Sequence, residues 1–226
     1  MTLEKDVGKS AEKLSFREAL KVQRWDDHRY YHHSRINQSL HLLSSICFMI
    51  TYAMLIINPT AAVMLGWIVA MWSRQIGHFF FEPKTYDEVN HATHEYKEDI
   101  KVGYNLHRKR ILQSIWAVSP LVLYFYPAMF GLFEPAVDWS EYVYNLSMLW
   151  LWLAIAALAI RTVHLFFIRD IQTGLVWATK ILTDPFNDFR TYLKSPWYLM
   201  KGELIDPMIH AQEEEDAEEH EPAVAH

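Results

Sequence analysis

Leu149-Trp-Leu-Trp-Leu-Ala-Ile-Ala-Ala-Leu-Ala-Ile160 is an unbroken apolar run at the centre of a longer apolar stretch, 142–168. A membrane-spanning helix needs roughly 20 mostly apolar residues, and a helix that is apolar on all sides has no face for water. Three less uniform stretches of similar length lie at 36–57, 61–81 and 111–133. The pattern predicts an all-α fold, a four-span transmembrane helical bundle, in preference to a soluble bundle with these segments as core helices.

The composition supports one domain with polar caps around an apolar centre. Half of the 226 residues are apolar and 15% are aromatic, while the mean hydropathy is near zero. This mixture is typical of a membrane protein with sizeable polar regions. We expect a polar or amphipathic N-terminal segment (1–34) and a membrane domain (35–169) with a cytoplasmic histidine-rich insert (82–110). An interfacial segment (170–209) and a disordered acidic tail (210–226) would follow.

Charge and cysteine content exclude several classes of protein. The formal charge of −6 comes largely from the acidic run 213–219, and no strongly basic domain indicates a nucleic-acid partner. Cys47 is the only cysteine, which excludes an internal disulfide and a thiolate cluster. Lys and Arg are absent from the connections near 58–60 and 134–141 but flank the other ends of the apolar stretches. This asymmetry predicts a multi-pass protein with both termini in the cytoplasm, and we favour a bacterial inner membrane over the endoplasmic reticulum.

Nine of the twelve histidines lie near the cytoplasmic ends of the apolar stretches. Histidine is the commonest metal ligand and titrates near neutral pH. A layer of imidazoles at one face of a helical bundle therefore indicates a metal-dependent active site. The candidate metal ligands are His32, His33, His41, His78, His91, His94 and His164.

Polar residues accompany these histidines at helical spacing. Asn37 precedes His41 by four residues, and Glu82 follows His78 by four, so each pair shares one helix face. Glu82 can bind a metal or accept the hydrogen bond that fixes a histidine tautomer. Arg161 can offer a carboxylate a bidentate partner. Asn37, Glu82 and Arg161 are accordingly the candidate catalytic residues.

Two short motifs carry a resemblance to a known family. The pattern His32-x4-Asn37-x3-His41, followed after one helical hairpin by Gly77-His78-Phe-Phe-Phe-Glu82, resembles the membrane-bound 2-hydroxy fatty acid dioxygenases over about 30–82. The resemblance implies that these histidines correspond to the family's motif histidines, and that the Asn and Glu correspond to its polar partners. It also implies one Fe(II) per chain, with O2 as co-substrate, oxidising a 2-hydroxy fatty acyl substrate that loses one carbon as carbon dioxide. The segment 170–208 is not part of this pattern.

Other functions remain open at this point. The spacings His28-x3-His32-His33 and His91-x2-His94 are also typical of di-iron lipid hydroxylases and desaturases, although the later HxxHH boxes of those enzymes are missing. A non-enzymatic b-type haem protein would need two axial histidines. The candidates for that role are His41, His78 and His164. A lipid-binding subunit whose histidines lie at an interface is a further alternative, and the sequence leaves the oligomeric state open.

Overall fold

The computed structural model describes residues 14–82, 84–87 and 90–208. Within these ranges the chain is helical and contains no β-strand, apart from two isolated backbone bridges. The prediction of an all-α fold is therefore confirmed. The predictions for residues 1–13 and for the acidic tail 210–226 lie outside the described residues.

The helices follow one another with short connections. In chain order they are α1 (Phe16–Tyr31), α2 (Arg35–Met54), α3 (Pro59–Met64), α4 (Trp72–Ile76), α5 (His94–Ile100), α6 (Leu106–Phe125), α7 (Trp139–Ile168), α8 (Ile171–Tyr192) and α9 (Ser195–Met200). Two π-helical segments, π1 (Leu65–Met71) and π2 (Gly77–Phe81), precede and follow α4. The segments from α3 to π2 run consecutively over residues 59–81, and π-helical turns often occur at functional sites.

Local capping explains where the first helices begin. The Ser15 side chain accepts a hydrogen bond from the Glu18 backbone N–H, and the Glu18 carboxylate accepts one from the Ser15 backbone N–H. α1 therefore starts with a capping box. Ser34 caps α2 by accepting from the backbone N–H of Asn37 at 3.4 Å. Asn58 caps α3 and is followed by a proline at the first helical position. Ser34 thus begins the first arm of a hairpin, α2, and Asn58 begins its second arm, the 59–81 segments.

An aromatic cluster packs the 59–81 segments against α6 and α7. The Trp67 ring centroid lies 4.3 Å from that of Trp116 and 5.5 Å from that of Trp150. Trp150 donates its indole N–H to the Ser119 hydroxyl at 2.8 Å. Burying three large rings stabilises this interface by several kcal/mol, because each ring removes about 150–250 Å² from water. The buried indole nitrogen of Trp116 offsets part of this gain, since it has no hydrogen-bond partner among the described residues.

Among the described helices, α7 is the one long and apolar enough to cross a membrane. The first predicted span corresponds to α2, and the second to the consecutive segments from α3 to π2. The third is shorter than expected, since α6 ends at Phe125 and a 3-10 turn, Met129–Gly131, follows. The four-span arrangement accordingly rests on the sequence pattern.

The segment 170–208 folds back onto the N-terminal half of the chain. α8 packs against α1, α2 and α7. Arg24 of α1 donates to the Thr183 hydroxyl at 2.7 Å, and Tyr52 of α2 donates to the Leu182 carbonyl at 3.1 Å. α8 therefore lies along α2, with Leu182 beside the C-terminal end of α2 and Asp188 beside His41 near its N-terminal end.

Candidate metal centre

Three buried histidines from separate segments meet at one point. His32 lies in the link between α1 and α2, His41 lies on α2, and His78 lies in π2. Their ring centroids are 4.2 Å (His32–His41), 4.9 Å (His41–His78) and 5.2 Å (His32–His78) apart. One nitrogen from each lies within 4.8 Å of the others, which is the spacing of a group that can hold a metal ion.

A backbone carbonyl fixes the tautomer of His32. Its Nδ1 lies 2.7 Å from the Asp27 carbonyl oxygen. A carbonyl oxygen only accepts, so Nδ1 carries the hydrogen and Nε2 presents a lone pair. Burial, together with the nearby His41, lowers the pKa of His32 well below its usual range. The His32 ring is therefore neutral near pH 7 and can act as a ligand.

His78 is oriented in the same way by a carboxylate. Its Nδ1 lies 2.8 Å from Glu82 Oε2, and both side chains are buried. The other Glu82 oxygen lies 3.6 Å from the Lys101 ammonium, which in turn sits 3.6 Å above the Tyr31 ring. Lys101 belongs to the 82–110 insert, so the insert supplies the cation that accompanies this carboxylate.

His41 has an acceptor behind it as well, from α8. Its Nδ1 lies 3.5 Å from Asp188 Oδ2, and the Arg74 guanidinium donates to the same oxygen. The Nδ1 atoms of all three histidines thus face acceptors. Such partners commonly orient histidines that bind metals.

The inner nitrogens lie at the spacing of ligands on one ion. Nε2 of His32 and Nε2 of His41 are 3.2 Å apart. Two lone pairs at this distance repel each other, so the contact needs a proton on one nitrogen or a cation between them. The acceptors at Nδ1 favour the cation, because a hydrogen held at Nδ1 of a neutral imidazole leaves Nε2 without one. Nitrogens held at roughly 2.1 Å from one metal ion lie about 3.0–3.4 Å apart.

Asn37 and Gly77 bring α2 and π2 into close contact beside this trio. Asn37 is fully buried and donates its amide to the Tyr31 carbonyl at 2.8 Å. Its Oδ1 faces Gly77, where a methyl group would collide with it. Within the described residues Asn37 Oδ1 has no hydrogen-bond partner. π2 therefore approaches α2 closely at Gly77.

The remaining candidate ligands lie apart from the trio. His33 is buried beside Asp87, 3.4 Å from its carboxylate, and also contacts the Arg29 carbonyl. His91 is exposed in a left-handed backbone conformation with φ 48°. His94 begins α5. Their assignment as ligands stays a prediction.

Arg161 and His164 form a separate pair on α7. Arg161 donates to the carbonyl of Val102 at 2.6 Å and to that of Gly103 at 3.1 Å. His164 is exposed and lies 2.9 Å from the Arg161 guanidinium. Arg161 is therefore engaged with the backbone that precedes α6, and a role toward a substrate carboxylate stays a prediction.

A buried ion network links α8 to the residues behind His32. Lys180 donates to Asp27 Oδ2 at 2.9 Å and to Asp184 Oδ2 at 2.8 Å. Although burial opposes its charge, Asp184 and Asp27 raise the pKa of Lys180 above its usual range. Burial raises the pKa of Asp184 to about 6 despite Lys180. The sequence signal for this network is the i,i+4 spacing of Lys180, Asp184 and Asp188 on a helix with many apolar residues.

A cleft of about 1030 Å³ opens beside the trio, between α1, α8, α9 and the chain at 203–208. Its lining includes Asp27, Asp188 and Tyr192. The Tyr192 ring is buried, with its centroid 5.8 Å from that of His32 and 6.2 Å from that of His41. Tyr192 thus borders the cleft and also packs against the rings of His32 and His41.

Three buried imidazoles with paired outer nitrogens define a candidate mononuclear metal centre in an all-helical protein. A family model described as Mpo1-like, 2-hydroxy-palmitic acid dioxygenase Mpo1-like, matches residues 21–91. The matched segment contains all three histidines and Glu82, so the resemblance seen in the sequence is confirmed over this part of the chain. No curated protein and no solved structure matches the chain.

Proposed function

We propose that the chain is a non-haem Fe(II)-dependent oxygenase of 2-hydroxy fatty acids, with the metal held by His32, His41 and His78. The observation that carries this proposal is the convergence of three neutral-imidazole positions whose Nδ1 atoms all face acceptors. Three protein ligands leave coordination positions open, as oxygen-using ferrous sites require. The dioxygenase name of the matching family model supports the same chemistry.

The residues of the chain would bind the metal, orient its histidine ligands and shield the site from water. The Asp27 carbonyl and Glu82 hold the Nδ1 hydrogens of His32 and His78, which directs both lone pairs inward. The buried rings and the neighbouring Tyr192 keep bulk water away from the inner nitrogens. Bound ferrous iron would supply the activation of O2.

The proposed reaction removes one carbon from the substrate. A 2-hydroxy acid and one O2 balance with the acid one carbon shorter, one carbon dioxide and one water. Support for this substrate class comes from the description of the matching family, which refers to 2-hydroxy-palmitic acid. The carboxylate and hydroxyl of such a substrate can chelate one ion through two oxygens, so a single site would hold the reacting end.

The cleft between α1 and α8 is the proposed route for the polar end of the substrate. Arg35, which also lines the cleft, is already paired with Asp206 at 2.7 Å. The exposed cations that line the cleft are Arg17, Lys21, Arg190 and Lys194. A cationic rim would attract an anionic substrate toward the site.

The spacing of the rings argues against the haem alternative for this site. Two axial nitrogens on opposite sides of a haem iron lie about 4 Å apart with the porphyrin between them. Of the haem candidates, His41 and His78 meet at this site with ring centroids only 4.9 Å apart, and Nε2 of His41 lies 3.2 Å from Nε2 of His32. A bare ion fits that space, whereas a macrocycle does not.

The proposed setting is a membrane, with the metal site at its cytoplasmic face. Support comes from α7, which is long and apolar enough to span, and from the exposed apolar side chains of α6. The multi-pass arrangement and its orientation follow from the distribution of Lys and Arg in the sequence. An acyl chain in the bilayer would then have its carboxylate at the depth of the site.

The first test is metal content after anaerobic reconstitution with Fe(II), measured by mass spectrometry for wild type, His78→Ala and His164→Ala. We expect one iron per chain in wild type and in the His164→Ala control, and none in His78→Ala. Loaded wild type should convert a 2-hydroxy fatty acid and O2 into the acid one carbon shorter. Two irons per chain would favour a di-iron enzyme, and no bound iron would exclude the metalloenzyme proposal.

A further inference from the structure

A carboxylate beside the candidate metal centre comes from far outside the segment that the family model matches. We propose that Asp188 of α8 is a positioning residue for His41, and that α8 is therefore part of the metal site. The matched segment ends at residue 91, whereas α8 spans Ile171–Tyr192. This inference rests on the proposed metal site and adds a requirement to it.

Asp188 is buried and is held by contacts with two other helices. It is 7% exposed, and its Oδ2 accepts from the Arg74 guanidinium while facing His41 Nδ1 at 3.5 Å. Arg74 lies on α4, so two helices hold the carboxylate against a third. A charge buried at this depth is retained only when it is paired.

The need for Asp188 follows from the two neutral tautomers of His41. With the hydrogen on Nε2, His41 would donate to the His32 lone pair across the 3.2 Å contact, and the site would be closed by an internal hydrogen bond. With the hydrogen on Nδ1, the Nε2 lone pair is free for a metal. A carboxylate that pairs with the Arg74 guanidinium accepts hydrogen bonds and does not donate them, so Asp188 selects the second tautomer.

The chain offers a matched control four residues away. Asp184 lies on the same helix, is also buried and also pairs with a cation, Lys180, but it does not hydrogen-bond to any of the three histidines. Asp188→Asn and Asp184→Asn each remove one buried negative charge from α8. A merely structural role for Asp188 would make the two variants behave alike.

The experiment measures Co(II) affinity by titration and the exchangeable imidazole N–H resonances of the Co(II) protein by paramagnetic NMR. We expect Asp188→Asn to weaken Co(II) binding about 10- to 100-fold, the range typical when a partner behind a metal ligand is lost. Asp184→Asn should stay within about twofold. Wild type should show three shifted N–H signals, and Asp188→Asn should lose or displace one of them.

A second substitution covers the case in which Asp188→Asn does not fold. Asp188→Glu keeps the charge beside Arg74, and we expect it to retain Co(II) binding while moving only the His41 N–H signal. Equal affinities and unchanged signals in the Asp188 and Asp184 variants would overturn the inference. A wild type that binds no Co(II) would instead overturn the proposed function, so the two failures are distinguishable.

Discussion

Nε2 of His32 and Nε2 of His41 lie 3.2 Å apart while the Nδ1 of His32 is held by the Asp27 carbonyl. Because the facing lone pairs gain a cation on metal binding, we expect bound metal to stabilise the fold. At a free metal concentration of 100 times Kd the gain is about 2.7 kcal/mol. Thermal unfolding with and without Co(II) measures it.

The control for this prediction is the adjacent histidine. His33→Ala loses a buried contact with Asp87 and should unfold at a lower temperature, yet it should keep the stabilisation by Co(II). His32→Ala should lose that stabilisation. If both variants lost it equally, the assignment of His32 rather than His33 to the metal site would be wrong.

The close approach of π2 to α2 gives a second prediction. A methyl group at Gly77 would collide with Asn37 and lie 3.5 Å from the His41 ring, so Gly77→Ala should separate His78 from His41 and weaken metal binding at least tenfold. Gly66→Ala is the matched control, because its added methyl group meets only Thr51, at 3.2 Å. Metal titration of both variants tests this, and equal losses would contradict it.

The parts of the site that the sequence could predict are local. Ser34, Asn37 and His41 lie within about two helical turns, so their spacing alone predicts a capped helix that presents a histidine. His78 and Glu82 are four residues apart, and the structure joins them at 2.8 Å. Short-range geometry of this kind is determined by the helical repeat.

The parts that the sequence could not predict depend on tertiary packing. Asp188 reaches His41 from 147 residues away, and nothing in the local pattern of α8 indicates that pairing. Arg161 is a second example. Its position in the last apolar stretch predicts a substrate partner, and the contacts of its guanidinium with the carbonyls of Val102 and Gly103 are not visible in that pattern.

Asp184 gives a pH prediction. Burial raises its pKa to about 6, above the unfolded value of about 3.9, so the folded state holds the proton more tightly. The associated stability is fully present below about pH 4 and is lost as the pH rises through about 6. Asn mimics the protonated carboxyl, so the stability of Asp184→Asn relative to wild type should increase between pH 5 and pH 8. Thermal unfolding of both proteins at the two pH values tests this, and a pH-independent difference would contradict it.

The cleft gives a prediction about substrate binding. Arg190 lines the cleft and is exposed, so Arg190→Glu should raise KM several-fold while leaving kcat nearly unchanged, since the side chain does not reach the three histidines. The effect should shrink at high ionic strength. Lys201→Glu makes the same change of charge at an exposed residue that is not among those lining the cleft, and it should leave KM unaltered. Equal effects of the two substitutions would indicate general attraction of the anion rather than a specific route.

The proposed orientation can be tested with single cysteines in a Cys47→Ser background. Val137 is 91% exposed in the link before α7, and His107 is exposed at the start of α6. Because the Lys and Arg distribution places these two positions on opposite sides of the membrane, a membrane-impermeant maleimide applied to intact cells should label Val137→Cys and spare His107→Cys. After lysis it should label both. Labelling of His107→Cys alone in intact cells would reverse the orientation and put the metal site outside the cytoplasm. Labelling of both positions in intact cells would contradict a membrane crossing between them.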